Sequence, residues 1–503
     1  MKPKKLLAAA LAVLMCLAAL ISCANKTDAP ADTVTTASDT SAKETEAEKL
    51  PSRFELQFSE ENEKLLAEIL AADIETVSVD EIIPELSVAP TAKVKAGEGA
   101  WTYIYENATK ELHDECRDAL LSTGEFAQYT ETEFNGTLKS ELKNYFTTLL
   151  SRAAQVDIGL HDAFPRMYVT VTPRSASLPP MREAPEYTPV GDEYPTIWTQ
   201  FGLEDIDNEE SSLGYIVRIA DGSFIILDSG EPFEGVEERI YEILKIQAPD
   251  PDNIVISAWI LTHAHSDHVG GFIRFAEQYG SDETVTVKQM VYNFPDLSNL
   301  PPEDIVMQNA VSEAIEKLRG EPEILKPHTG NVLYYADVAI NILYTQEEHL
   351  AVKGYFDNYN TSSIVTQFVM EDGTKLLIGA DHPVSGNRTW CESALWRWYG
   401  SFLESYVVSA FHHGYGGGAD IVIYTAIKPK LVLWPVDEYR IELDELDESN
   451  TNRYFTGSDA ADRGVVGYYV AGDDIVILSF AEGKATATRY NTFADYKAGR
   501  IAK

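Results

Sequence analysis

An apolar segment that runs directly into three histidines and an aspartate constrains this sequence more than any other feature. The stretch "NIVISAWILTHAHSDHVGG", residues 253–271, is apolar over its first half and then places His263, His265, Asp267 and His268 within six positions. Side chains two residues apart on a strand face the same way, so His263 and His265 are predicted to converge on one metal ion at the strand's end. Asp267 and His268, beyond the turn, are predicted to face a second ion.

Two further apolar segments end in residues of the same kind. "TKLLIGADHP" ends in Asp381 and His382, and "SYVVSAFHHGYGGG" ends in His412 and His413, so six of the ten histidines lie in three short clusters. If these strands run parallel locally, their ends share one edge of a sheet. Imidazole nitrogen and carboxylate oxygen are ligands that zinc and related ions accept. The pattern predicts a site for two divalent ions, zinc first and manganese or iron as alternatives. The competing explanation is a chance cluster of surface histidines.

The chain divides by texture into an N-terminal region and a larger second domain. Residues 54–185 contain two helical patterns, "ENEKLLAEILAA" and "ATKELHDECRDALL", and are predicted to form an α+β region whose role the sequence does not reveal. Residues 196–485 alternate strands with helices, and the Asp-Gly pair at 221–222 predicts a hairpin. This alternation predicts a layered α/β domain with mixed sheets. A C-terminal tail is expected over residues 486–503.

The first residues have the order of an export signal. Residues 1–23 run from a basic start through an apolar stretch to "LISC", which resembles a bacterial lipobox ending in Cys23. Residues 24–53 have the polar composition of a disordered linker. We therefore expect the protein to be exported and held on the outer face of the bacterial membrane by a lipid on Cys23. The alternative is a single membrane anchor, since the apolar run approaches the roughly 18 residues that span a bilayer.

Charge and cysteine content limit the partners. The chain has 80 acidic and 40 basic residues, a formal charge of −40, which disfavours nucleic acid as a partner and leaves a small-molecule or cell-envelope substrate. Beyond the signal and Cys23, only Cys116 and Cys391 remain, as a disulfide or as two buried thiols. A cysteine-rich zinc site is excluded. The oligomeric state is left open.

The three clusters together resemble the metallo-β-lactamase superfamily, whose hallmark is His-x-His-x-Asp-His after a strand. The resemblance covers about residues 196–480 and implies an αββα fold, here with an N-terminal α+β extension. The matching positions are His263, His265, Asp267 and His268 in the first motif, Asp381 as the bridging aspartate, His413 as the last histidine ligand, and Asp228 in "LDSG" as the aspartate that supports the site from behind.

Within that superfamily, "NTSSIVTQFVMEDGTKLLIGAD" followed by "FHHGYGGG" is similar to the branch containing the soluble domain of the competence protein ComEC and the pneumococcal phosphorylcholine esterase. True β-lactamases, glyoxalases and lactonases carry a further metal-binding histidine before the bridging aspartate. Here that interval contains only His328 and His349, which we interpret as loop histidines. The ion at His263 and His265 is then expected to be held by those two histidines, Asp381 and solvent, which disfavours lactamase or lactonase activity.

The resemblance also implies roles for single residues. Asp267 is expected to orient the nucleophile or shuttle its proton, and His412 to contact the substrate or leaving group, although the reverse assignment of His412 and His413 stays open. His382 and Tyr415 are candidate substrate-binding residues, with an ordinary rim or loop role as the alternative. Asn360, in the loop before a strand that leads to the site, is a weaker candidate of the same kind.

The predicted function is a lipid-anchored, extracytoplasmic, binuclear metal-dependent hydrolase of phosphoester or phosphodiester bonds. Two alternatives remain from the sequence. One is a surface protein that binds a ligand through the metal without turnover, although an intact Asp267 argues against it. The other is an extracellular nuclease like ComEC, against which the negative charge argues.

Overall fold

The computed structural model describes residues 58–502. Its gaps are 77, 80–81, 98, 136–142, 163–164, 203–213, 301, 354–355, 357–358, 384–393, 415–418, 420, 437–449 and 472–474. The predicted signal and linker, with Cys23, and the candidates Tyr415 and Cys391 lie outside the described residues. Among the residues described, no helix has both the length and the apolar character to cross a membrane.

The N-terminal extension is one antiparallel sheet with a helix on one face. Its strands are β1 (Ala92–Gly97), β2 (Ala100–Glu106), β3 (Ala127–Asn135), β4 (Lys143–Leu150), β5 (Ala154–His161) and β6 (Arg166–Pro173), in the order β1-β2-β6-β5-β4-β3. Both predicted helices are present, as α1 (Glu60–Ala71) and α2 (Lys110–Ser122). The apolar stripe of α2 buries Leu112, Cys116 and Leu120 against the sheet. Cys116 is a free thiol there.

The second sheet carries the first ligand motif. Its strands are β7 (Ile197–Phe201), β8 (Gly214–Arg218), β9 (Phe224–Asp228), β10 (Ile254–Ile260), β11 (Val285–Val287), β12 (Gln289–Val291), β13 (Glu323–Leu325), β21 (Ile475–Ala481) and β22 (Lys484–Tyr490). The order is β13-β12-β10-β9-β8-β7-β21-β22, with β11 also paired to β10. β8 and β9 form the hairpin predicted at Asp221-Gly222. β9 and β10 run parallel, so Asp228 and the histidine motif leave the sheet on the same side.

The third sheet carries the other two ligand segments. Its strands are β14 (Val332–Tyr335), β15 (Val338–Tyr344), β16 (Val365–Met370), β17 (Lys375–Ile378), β18 (Val407–Ser409), β19 (Leu431–Trp434) and β20 (Gly467–Val470), paired in that order. β14 to β17 are antiparallel, whereas β17 to β20 are parallel. The segments ending in Asp381 and in His412 therefore leave this sheet together.

The helices of this domain are α3 (Val236–Gln247), α4 (Ser266–Tyr279), α5 (Pro302–Ile315), α6 (Gln346–Lys353), α7 (Ala394–Tyr399), α8 (Ile421–Ile427), α9 (Asn450–Thr456) and α10 (Phe493–Lys497). Helix α6 packs against β1, β2 and β6 of the N-terminal sheet, whereas the others cover the outer faces of the second and third sheets. One buried apolar cluster fills the space between the two sheets, a second packs α3, α4 and α5 on the second sheet, and a third packs α7, α8 and α9 on the third sheet. The predicted αββα layering is confirmed.

The second domain extends past the boundary predicted at residue 485. Residues 486–490 complete β22, and α10 follows directly. Tyr496 on α10 is 7% exposed and packs in the same cluster as α3. The segment predicted as a tail is therefore part of the packed domain.

Candidate metal centre

Three strand ends meet at the candidate centre, but they come from two sheets and not from one edge. The segment after β10 leaves the second sheet, while those after β17 and β18 leave the third. The two sheets face each other, so their strand ends converge across the sandwich. The structure brings together all six residues predicted as metal ligands.

The first ligand group consists of Asp267, His268, Asp381 and His413, whose ligand atoms all lie within 4.8 Å of one another. The Nε2 atoms of His268 and His413 both lie 3.2 Å from Asp381 Oδ1. Asp267 Oδ2 lies 2.9 Å from His413 Nε2 and 3.8 Å from His268 Nε2. Two imidazoles and two carboxylates therefore surround one point.

The second ligand group consists of His263, His265 and Asp381. His263 Nε2 lies 3.1 Å from His265 Nδ1 and 3.8 Å from the other carboxylate oxygen, Asp381 Oδ2. Asp381 belongs to both groups and directs one oxygen to each. This arrangement has the division predicted from the sequence, with Asp381 between the two sites.

Backbone geometry brings the ligand-bearing loops together. Helix α4 begins at Ser266, so Asp267 and His268 occupy its first turn instead of a preceding loop. His412 and His413 have φ of 46° and 53°, a left-handed region that is costly for residues other than glycine. The His412 N–H donates to the Ala380 carbonyl over 2.8 Å, which ties the two loops of the third sheet to each other.

Asp228 supports the first ligand group from behind. Its side chain is fully buried and accepts hydrogen bonds from the Thr262 N–H (2.8 Å) and the Thr262 hydroxyl (2.7 Å). Asp228 Oδ2 lies 2.9 Å from His268 Nδ1. This contact assigns the proton to Nδ1 and leaves Nε2 with a lone pair for a metal ion.

Charge is shared unequally between the imidazoles of the centre. Burial opposes protonation of His413, but Asp381 and Asp267 outweigh it and raise its pKa to about 9. Burial, with His268 and His265 adding to it, holds the pKa of His263 well below its usual range. Burial would raise the pKa of Asp381, yet His413 and His268 hold it well below its usual range. Without a metal ion, the first ligand group therefore carries bound protons at the position that a cation would occupy.

The donor set fits divalent metal ions. His268 Nε2 is buried without a hydrogen-bond partner, although two carboxylates lie close to it. A buried polar atom without a partner is costly unless something else occupies its lone pair. Neutral imidazole and carboxylate are the ligands that zinc and its neighbours take. Residues His263, His265, Asp267, His268, Asp381 and His413 could therefore hold the metal.

The ligands are surrounded by four further residues, namely Asn360, Tyr359, His382 and His412. Asn360 Nδ2 donates to His412 Nε2 over 3.2 Å, so this candidate contacts a residue of the centre. Tyr359 is buried, with its ring centre 5.7 Å from that of His265. His382 is fully buried, with its ring centre 4.1 Å from that of Tyr344, so it lies beneath the rim and not on it.

His328 and His349 belong to a different part of the molecule. His328 is fully buried beside Asp157 of the N-terminal sheet (3.4 Å) and Glu347 of α6 (3.0 Å). His349 is 1% exposed on α6 and stacks on Phe356, so its interpretation as a loop histidine is wrong. The sequence misses this role because the contacts of both histidines depend on packing between distant segments.

Comparison with known families agrees with this geometry. Residues 208–350 match the model of the metallo-beta-lactamase superfamily. The chain contains a metallo-beta-lactamase superfamily domain. The match includes Asp228 and the whole first motif and ends before Asp381 and His413. It confirms the predicted fold class, and most members of this superfamily are metal-dependent hydrolases.

Several solved structures are similar to the chain at low identity. The metallo-beta-lactamase fold protein YhfI from Bacillus subtilis has 13% identity and a TM-score of 0.34, over 59% of this chain and 100% of that one. A metallo-beta-lactamase with a HARLDQ motif from Cronobacter sakazakii has 13% identity and a TM-score of 0.27, over 50% and 87%. A possible metal-dependent hydrolase from Veillonella parvula has 11% identity and a TM-score of 0.26, over 54% and 95%. No curated protein matches the sequence.

Proposed function

We propose that the protein is a two-metal hydrolase of phosphoester or phosphodiester bonds, with zinc as the metal. The observation that carries this proposal is the position of Asp381. One of its oxygens lies 3.2 Å from the imidazoles of the first ligand group and the other 3.8 Å from His263 of the second. A carboxylate shared in this way suits two adjacent ions, which can stabilise both the attacking and the leaving oxygen of a displacement.

The residues of the centre would divide the chemistry. Bound divalent ions supply Lewis acidity and lower the pKa of water to about 7. Asp267 belongs to the first ligand group, and its carboxylate is also able to accept a hydrogen bond from an attacking water. Burial lowers the pKa of His412, against the opposing charge of Asp381, so the imidazole is neutral near neutral pH. Because Asn360 donates to Nε2 of His412, that atom is an acceptor.

His412 is the candidate for direct contact with substrate. Its side chain is 32% exposed, whereas those of His263, His268 and His413 are at most 2% exposed. The lone pair of Nε2 could give up the hydrogen bond from Asn360, take the proton that the attacking water loses and pass it to the leaving oxygen of a phosphoester. General acid–base groups of this kind contribute about 10²–10⁴-fold to rate.

The chemistry of the site favours a phosphoryl substrate over a β-lactam. Each imidazole of the second ligand group comes from the first motif, and only the shared Asp381 adds to it. An ion held only by these ligands would keep positions open for the oxygens of a tetrahedral phosphoryl group. A β-lactam also requires a basic group for its carboxylate, and near the three motifs the sequence offers only Arg388, outside the described residues.

The proposed setting is the outer face of a bacterial membrane, with a lipid on Cys23 as the anchor. The sequence "LISC" and the polar linker after it support this setting. The acidic surface supports a small-molecule or envelope substrate over nucleic acid, because a charge of −40 repels phosphate backbones.

Turnover of bis-(p-nitrophenyl) phosphate by zinc-loaded full-length protein tests the proposal. We expect a chelator and Asp267→Ala each to abolish turnover. His412→Ala should lower turnover about 100-fold or more while both metals stay bound. Asp252→Ala is the matched control, because Asp252 is exposed before β10, at the opposite end of that strand from the histidines. Rapid hydrolysis of nitrocefin without phosphodiester turnover would overturn the proposal.

A further inference from the structure

Helix α5 brings a carboxylate to the second ligand group that no sequence motif indicates. Asp304, the third residue of α5, has its Oδ1 atom 3.8 Å from His265 Nε2. His265 Nδ1 is the atom that lies beside His263 Nε2, so Nε2 is its distal nitrogen. We infer that Asp304 is a positioning residue that holds His265 with Nδ1 free for the second metal ion and adds negative charge to that site. This inference rests on the proposed two-metal centre.

The comparison with Asp228 shows why a carboxylate is needed there. In the first ligand group, Asp228 contacts the distal nitrogen of His268. A carboxylate at the distal nitrogen of a ligand histidine fixes the proton on that nitrogen and raises the basicity of the other. Asp304 lies on the corresponding side of His265, with the two nitrogens exchanged, but at 3.8 Å it is at an ion-pair distance and not at the 2.9 Å hydrogen-bond distance of Asp228.

The charges of the two sites support the same inference. The first group contains two carboxylates, Asp267 and Asp381, while the second has only its share of Asp381. Two divalent ions carry four positive charges. Asp304 adds a fourth carboxylate to those of Asp267, Asp381 and Asp228 around this charge.

Contacts of α5 fix the helix beside this site. The Tyr359 hydroxyl donates to Gln308 on α5 over 2.6 Å, while the Tyr359 ring covers the rings of His263 and His265. Asp304 and Gln308 are one helical turn apart and so lie on the same face of α5. The segment that covers His265 therefore also holds the helix that carries Asp304.

A simpler role for Asp304 is favourable charge at the N-terminus of α5. That role predicts a loss of stability with no effect on either metal site. A positioning role predicts the selective loss of one ion with little effect on the metal-free protein. Metal affinity and stability of the metal-free protein, measured separately, distinguish the two.

The experiment titrates zinc into metal-free full-length protein against a chelator of known affinity. We expect wild type to bind two ions tightly. Asp304→Ala and Asp304→Asn should retain one ion at wild-type affinity and bind the other about 10–100-fold more weakly. Asp304→Glu should restore most of that affinity. Glu313→Gln, which removes one exposed charge from the same helix, is the matched control and should bind both ions within about twofold of wild type.

Two results would overturn the inference. One is wild-type affinity for both ions in Asp304→Ala and Asp304→Asn. The other is an equal loss of affinity for both ions together with a lowered unfolding midpoint of the metal-free protein. That result is expected if Asp304 only stabilises the helix. Because the titration needs no substrate, a protein that shows the selective loss yet hydrolyses no phosphodiester would refute the proposed function and leave the role of Asp304 intact.

Discussion

Replacing Asp228 with asparagine tests how strongly the centre depends on a buried proton assignment. Asp228 is fully buried and its φ is 52°, a conformation that asparagine also tolerates. The substitution therefore changes hydrogen bonding and leaves the backbone in place. If the amide oxygen keeps the Thr262 N–H, the amide NH₂ takes the place of Oδ2 and faces the Thr262 hydroxyl and His268 Nδ1.

The consequence falls on His268. Its Nδ1–H would meet another donor, so the proton is expected to move to Nε2, the atom that faces Asp381 and the first metal position. Loss of such support typically costs about 10–100-fold in metal affinity, or about 1.4–2.8 kcal/mol. A buried N–H or O–H group that loses its acceptor should also lower the unfolding free energy of the metal-free protein, by about 1–3 kcal/mol.

Zinc titration and urea unfolding of the metal-free protein measure the two effects. Asp337→Asn is the matched control, because Asp337 is 5% exposed and accepts hydrogen bonds from the Ala220 N–H and the Thr196 hydroxyl, away from the ligands. We expect Asp337→Asn to lower stability and to leave zinc affinity unchanged. If Asp228→Asn bound zinc as tightly as wild type, the proposed link between Asp228 and the Nε2 lone pair of His268 would be refuted.

Four other perturbations give separate tests. Asp381→Asn should lower the affinity for both zinc ions together, because both ligand groups share this residue, and metal content measures the loss. His328→Gln should lower the unfolding free energy by about 3–5 kcal/mol at neutral pH, because it removes the opposing charge beside the buried carboxylates of Asp157 and Glu347. Burial lowers the pKa of His328, but Asp157 and Glu347 outweigh burial and raise it. The stabilisation from His328 is therefore complete below the ordinary histidine pKa and is lost as pH rises through the raised value. Urea unfolding at a series of pH values above the ordinary histidine pKa should show this loss in wild type and not in His328→Gln. Gly414 has φ of +83°, and a Cβ there would lie 2.2 Å from Trp434 Nε1. Gly414→Ala should therefore destabilise the His413 loop by about 1–3 kcal/mol and lower the affinity for one zinc ion. Cys23→Ala should release the protein from membranes in a fractionation assay, and unchanged retention at the same apparent mass would refute the lipobox.

Much of the centre follows from local sequence. His263 and His265 share a face because they are two residues apart in extended chain, and Asp267 and His268 follow within one turn. Periodicity also predicts the helices of the N-terminal extension and the hairpin at Asp221-Gly222, since these depend on contacts between near neighbours. Residue type then predicts the kind of ion, because imidazole and carboxylate restrict which metals bind.

The roles of Asp304, Asn360 and His382 depend on tertiary structure. Asp304 is 39 residues from His265, and only the packing of α5 on the second sheet brings them together. Asn360 meets His412 only because segments from different parts of the domain converge, and His382 is buried because Tyr344 packs over it.

The sequence by itself determined the ligand types, their strand-end positions and the layered α/β class, because periodicity and local geometry act over a few residues. Only the tertiary structure decided that the three strand ends come from two facing sheets. It also decided which distal nitrogens meet the carboxylates of Asp228 and Asp304. Those contacts join residues far apart in the chain, and they form only when the apolar surfaces of sheets and helices are buried together.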